Sequence, residues 1–167
     1  MNYIINKFTA GYVLPAPSID AMLAVLPKTP TREQIETFEQ GLLQLEQVAT
    51  PTKHYFSPGL YAREMFIPKG TFLTGDVHKT DHLCVFVGDI HVWVEGGMKR
   101  LTGHHTFLSK AGAKRVGYAF EDTYCTGFFP TEKTDITEIE KDLCESPERL
   151  QCNRFALSKS DNPALEE

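Results

Sequence analysis

The stretch GTFLTGDVHKTDHLCVFVG, Gly70–Gly88, decides how the rest of the chain is read. Its residues alternate with a period of two, the mark of a strand with two unlike faces. Phe72, Thr74, Asp76 and His78 fall on one face, Leu73, Gly75 and Val77 on the other. After a polar break at Lys79-Thr80-Asp81 the alternation resumes, with His82, Cys84 and Phe86 opposite Leu83, Val85 and Val87. Two strands joined in this way would aim Asp76, His78 and His82 at one point. Imidazole and carboxylate are common ligands of divalent iron, zinc, nickel and manganese, so the expected cofactor is one such metal. Two histidines and a carboxylate also leave coordination positions open for substrate or water.

The spacing Gly70-x5-Asp76-x-His78-x3-His82-x5-Gly88 resembles the first motif of the cupins, G-x5-H-x-H-x3,4-E-x6-G, whose histidines and glutamate hold a metal inside a small β-barrel. One His matches, Asp76 stands at the other His position, His82 stands at the Glu position, and the last gap is one residue short. The second motif, G-x5-P-x-G-x2-H-x3-N, has a looser echo in Gly103 to Ala119. There Gly112 matches the second glycine, while Lys110, Arg115 and Ala119 replace the Pro, His and Asn. The resemblance implies a cupin-like antiparallel β-barrel (a double-stranded β-helix) without the four-ligand metal set. The chain is also similar to cupin-like proteins of tailed bacteriophages, in His54–Glu64 (HYFSPGLYARE), Gly112–Arg115 and Glu121-Asp122-Thr123. That second resemblance implies a phage-encoded module in the host bacterial cytoplasm or the virion, forming homo-oligomers or binding other phage structural proteins.

Composition sets the bounds. A chain of 167 residues, 41% hydrophobic and 23% charged, is long enough for one domain with a sizeable core. A formal net charge of -5 lacks the basic excess of a dedicated nucleic-acid reader. No apolar run reaches the roughly 20 residues that span a bilayer, and the N-terminus does not read as a signal peptide. The cysteines at 84, 125, 144 and 152 form no C-x2-C pair, and two fall within expected strands, which points to a reducing compartment.

Three segments follow along the chain. Residues 1–59 read as an arm (1–17), a short helix from Ser18 to Leu26, and a longer helix from Arg32 to about Val48. Thr31 and Gln34 form a capping box for the longer helix, and Ile35, Phe38, Leu42 and Leu45 make an apolar stripe. That stripe and the arm are reasons to expect at least a dimer. Residues 60–130 read as about eight short strands closing a barrel, with turns at Pro68–Gly70, Gly88-Asp89 and Glu95–Gly97. Residues 131–167 hold a helix opened by Asp135 and Glu138, then a polar tail.

Arg115 carries the sharpest alternative. A guanidinium cannot ligate a metal and stays protonated, so it repels a neighbouring cation. It is either one of a surface Lys114-Arg115 pair or a clamp for a carboxylate or phosphate of a small anionic ligand. Cys84, on the face of His82, is the second candidate ligand-binding residue. No nucleophile elbow, Walker loop, dinucleotide fingerprint or H-E-x2-H motif is present, so the catalytic residues are unknown. Two functions follow: a binding or interaction module with a degenerate metal or anion site, or a metal-dependent enzyme, dioxygenase- or isomerase-like, acting on a small anionic molecule.

Overall fold

The computed structural model describes residues 26–43 and 47–147. The arm, the Ser18–Leu26 helix up to Leu26, Leu45 of the stripe, Cys152 and the polar tail lie outside the described residues. The rest is mainly β. Seven antiparallel strands, β1 (Thr52–Ser57), β2 (Leu60–Ile67), β3 (Phe72–Gly75), β4 (His82–Val94), β5 (Gly97–Ser109), β6 (Arg115–Ala119) and β7 (Thr123–Pro130), are accompanied by helices α1 (Arg32–Leu43) and α2 (Ile136–Leu143). No helix among the described residues is long and apolar enough to cross a membrane.

The framework is the long β4–β5 hairpin, paired over its whole length from His82↔Ser109 to Val94↔Gly97. On its other edge β4 changes partner halfway. Leu83–Val87 pair with β7, whereas Ile90–Val94 pair with β6. The change falls at Gly88, which lies opposite Gly103 in the register. Both have positive φ, 146° and 84°, backbone that L side chains rarely adopt. The hairpin therefore bends there, and the sheet divides into two arms. One arm continues through β7, β2 and β1, the other through β6 and β3. Gly88-Asp89 is a corner within one strand, not the turn between two strands that the sequence suggested. Glycine at a turn and glycine at a bend leave the same local mark.

The sheet is curled and not closed. Among the described residues β1 pairs only with β2, β3 only with β6, and β5 only with β4, so three edges stay open. The sheet also starts at Thr52, upstream of the expected boundary at Leu60, because β1 pairs with β2 from Thr52↔Met65 to Ser57↔Leu60. Pro51 and Pro58 disguised this strand as a connection by flanking it closely. Between the arms lies an apolar interior of Met65, Ile67, Leu73, Ile90, Leu101, Ala119 and Cys125.

α1 covers the back of the β6 arm. The capping box forms as expected, with Thr31 N–H donating to Gln34 Oε1 at 2.9 Å and Gln34 N–H to Thr31 Oγ1 at 3.2 Å. Ile35 and Phe38 pack with Trp93, Val116 and Tyr118. Glu39, on the same helix face, is buried beneath it. Its Oε1 accepts from Lys114 Nζ at 2.7 Å and from Thr74 Oγ1 at 2.8 Å. Lys114 is therefore not half of a surface pair; it is 4% exposed. Removing one member of such a pair leaves an uncompensated buried charge, at about 3–5 kcal/mol.

α2 closes the β2–β7 end, where Ile139 packs on Tyr61 and Phe129. Its N-cap is Asp135, whose carboxylate accepts from Glu138 N–H at 2.9 Å. Arg63 and Glu140, both almost fully buried, approach to 3.6 Å and tie β2 to the helix. His54 on β1 lies 2.7 Å from the Tyr61 hydroxyl. Burial, with the Arg63 charge adding, lowers the His54 pKa to about 4.

Two outcomes are expected. A Cβ on Gly88 would fall 2.7 Å from Thr123 Cα and 2.8 Å from Asp122 O, whereas one on Gly103 meets nothing within 4 Å. Gly88→Ala should then cost about 3 kcal/mol or more, and Gly103→Ala about 1–2 kcal/mol from backbone strain alone; urea unfolding of both variants measures the difference. Secondly, His54 is held neutral on folding, so its contribution is fully present above pH 6.5. As pH falls from 6.5 towards 4 the unfolded chain binds a proton that the folded chain resists, and stability drops. His54→Gln should flatten that drop between pH 7 and pH 4.5 in urea midpoints.

Candidate functional site

The sequence placed Asp76 and His78 on the strand face of Phe72 and Thr74. The strand ends sooner than that. β3 stops at Gly75, and its Thr74 side packs towards α1, while Leu73 and Gly75 line the interior. The following segment is irregular, and it returns Asp76 and His78 to the interior by a different route. His78 forms an isolated bridge with Cys144 just after α2. Lys79 N–H donates to Leu143 O at 2.8 Å, Glu145 N–H to Val77 O at 2.9 Å, and Gly112 N–H to His78 O at 2.9 Å. The backbone around His78 is thus held from both sides.

His78 and His82 meet. His78 Nδ1 is 3.1 Å from His82 Nε2 and 3.2 Å from His82 Nδ1, and both residues are buried. Their shared floor is the Phe129 ring, with centroids 4.6 Å from His82 and 5.3 Å from His78. Gly127 makes this floor fit, because a Cβ there would fall 2.9 Å from the Phe129 ring edge. Burial lowers the His78 pKa well below the usual imidazole value, so this ring is neutral at physiological pH.

Asp76 does not complete a ligand set. One of its carboxylate oxygens accepts from Val77 N–H at 2.8 Å and the other from Ser146 N–H at 3.1 Å. Its role here is to anchor the chain after α2 to the chain after β3. Among the described residues no group of three His, Cys, Asp or Glu side chains is arranged to hold a metal ion. The cupin-type metal is therefore not fitted by Asp76, His78 and His82: two imidazoles remain, and the smaller protein sets use three donors.

Cys84 occupies the next inward position of β4. The Cys125 thiol, hydrogen-bonded to it from β7, lowers its pKa to about 5 against the opposing effect of burial, and His82 adds to the lowering. The same bond raises the Cys125 pKa well above the usual thiol value.

Arg115 opens β6, opposite Gly75 of β3 and Val94 of β4. It lines the same interior cavity as Asp76, His78, His82, Cys84 and Cys125. Its Nη1 donates to Ala113 O at 3.4 Å, and among the described residues it has no carboxylate partner. Ser109, opposite His82 across the hairpin, also lines the cavity; it is 2% exposed, and its hydroxyl has no hydrogen-bond partner among the described residues. The cavity measures about 60 Å³, room for a few waters or one small polyatomic ion. Ligand pockets for larger molecules run to about 300–1,000 Å³.

Ser109, Cys125 and Phe129 were missed as site residues. Alternation places Cys125 and Phe129 on the inner face of β7, but only the three-dimensional register brings them to His82 and Cys84. His104 is exposed. His91 is buried on the back of the β6 arm, against the rings of Trp93 and Phe120.

No protein-family model and no curated protein matches this chain. Solved structures similar to it include a cupin-2 domain protein from Shewanella frigidimarina, at 11% identity over 56% of this chain and 92% of that one, with a TM-score of 0.40. A cupin superfamily protein from Desulfitobacterium hafniense aligns at 9% identity over 64% of this chain and 94% of that one, TM-score 0.42. KdgF from Halomonas sp. aligns at 21% identity over 48% and 77%, TM-score 0.40. These are bacterial proteins, and the expected kinship with bacteriophage proteins gains no support from them. No property of those proteins transfers to this chain on a likeness of that size.

Proposed function

We propose that this chain is a cupin-like binding module whose interior site takes a small anion, with Arg115 as the residue that carries its recognition. The observation behind this reading is the pairing of charges. Glu39 is matched with Lys114 and Arg63 with Glu140, while Asp76 is held by two backbone N–H groups. The Arg115 guanidinium lines the cavity with no carboxylate partner among the described residues, and so does the Ser109 hydroxyl, which has no hydrogen-bond partner among them. A guanidinium and a hydroxyl both donate, and together they suit a carboxylate or phosphate oxygen. His78 and His82 supply ring nitrogens to the same wall.

A second reading rests on one distance. Imidazole nitrogens 3.1 Å apart can also be two ligands of one ion, each at about 2.0–2.1 Å from it. A metal enzyme of this kind needs a further donor and a way to tolerate Arg115 nearby. An anion seated between the ion and the guanidinium would provide that tolerance.

Calorimetric titration with acetate and with phosphate tests the first reading. Charge-assisted hydrogen bonds contribute about 1.5–3 kcal/mol, so Arg115→Ala should weaken anion binding by roughly tenfold or more. Equal affinity in the variant would remove Arg115 from the site. Elemental analysis of protein purified without an affinity tag tests the second. Stoichiometric iron, zinc, nickel or manganese that persists through dialysis, unchanged in Arg115→His, would count against the anion reading; a metal content that rises only in Arg115→His would support it.

A further inference from the structure

The interior cavity does not end at Arg115. A groove of about 820 Å³ lies beyond it, and the two share Val92, Phe107 and Arg115 in their walls. The two therefore adjoin, and Arg115 contributes to the walls of both. Their sizes differ enough to divide the work. About 60 Å³ accommodates a headgroup, while about 820 Å³ is in the range of pockets that bury a whole organic molecule.

The walls of the groove state what that molecule is made of. Val92, Val94, Met98, Leu101, Phe107 and Leu108 give it a mostly apolar lining. Its charged residues are Lys99, Lys110, Arg115 and Glu95, three cations to one carboxylate. Lys110 is already paired with Asp81 at 2.7 Å, which leaves Lys99 and Arg115 against Glu95, a net single positive charge on the groove. An apolar trough whose inner end carries a guanidinium is complementary to a molecule with an apolar body and an anionic end.

We infer that the ligand is an amphipathic acid, with its carboxylate or equivalent anionic head on Arg115 at the mouth of the interior cavity and its hydrocarbon body along the β4–β5 groove. This rests on the anion reading above and names its ligand class. Neither chamber alone points there. The cavity would suit any small anion, and the groove any apolar body. The geometry that joins them at Arg115 selects a single molecule bearing both.

Calorimetry with acetate, octanoate and octanol separates the contributions. Each methylene moved from water into the groove strengthens binding by about fourfold. Octanoate should thus bind at least about a hundredfold more tightly than acetate, and octanol should bind more weakly than octanoate. Arg115→Ala should weaken octanoate by roughly tenfold or more and abolish the preference for octanoate over octanol. Leu108→Asp, at a position 50% exposed and so free of folding demands, should weaken octanoate while leaving acetate unchanged. Acetate binding that depends on Arg115, with octanoate no tighter, would overturn the amphipathic ligand and leave the small-anion site standing. Octanol as tight as octanoate would overturn the placement of the head on Arg115. Failure of both acids to bind would overturn the inference together with the anion reading.

Discussion

Everything in this fold that could act on a ligand depends on the corner made by Gly88 and Gly103. Two glycines directly opposed in one hairpin, both at positive φ, let a ribbon of thirteen-residue strands fold over itself. Thr123 then packs into the inside of the bend, where a Cβ on Gly88 would collide with its backbone. The consequence is topological. β4 gives its first half to β7 and its second to β6, and the two arms face each other across a narrow interior. His82 and Cys84 come from one side of the corner, Ile90 and Val92 from the other, and all four line one cavity. A flat hairpin would place them on a single exposed sheet with nothing opposite.

Charge is distributed on the same plan. Burying an ion is costly unless it is paired, and this protein pairs its most deeply buried ones with partners on other elements. Lys114 of the β5–β6 connection reaches Glu39 of α1, and Arg63 of β2 reaches Glu140 of α2. Each pair is a poor source of net stability but a strong fix on where a helix sits. What stands out after this matching is Arg115, the first residue of β6, which lines the cavity and has no carboxylate partner among the described residues.

Local signals carried much of the fold. The capping box at Thr31 and Gln34, the Asp135 cap and the turn at Glu95–Gly97 were legible because each depends on residues within one turn. The corner was not, since a glycine that bends a strand and one that ends it differ only in what lies across the sheet. Nor was β1, whose short run between two prolines is a strand only because β2 offers it an edge. At the site the limits are of the same kind. The nearness of His78 and His82 could be read from spacing, although by the wrong route, since β3 ends before Asp76. That Asp76 is consumed by Ser146, seventy residues away, left no trace in the motif. The burial of Glu39 on an otherwise apolar stripe was equally invisible, because its partner Lys114 is distant in sequence.

A crystal structure of the full chain grown with selenate, phased on the selenium signal, addresses the central claim directly. The account predicts an anomalous peak between the Arg115 guanidinium and the Ser109 hydroxyl, with His78 and His82 in contact with each other. A metal peak bridging the two imidazoles instead, with Arg115 turned out of the cavity and no selenate beside it, would contradict it.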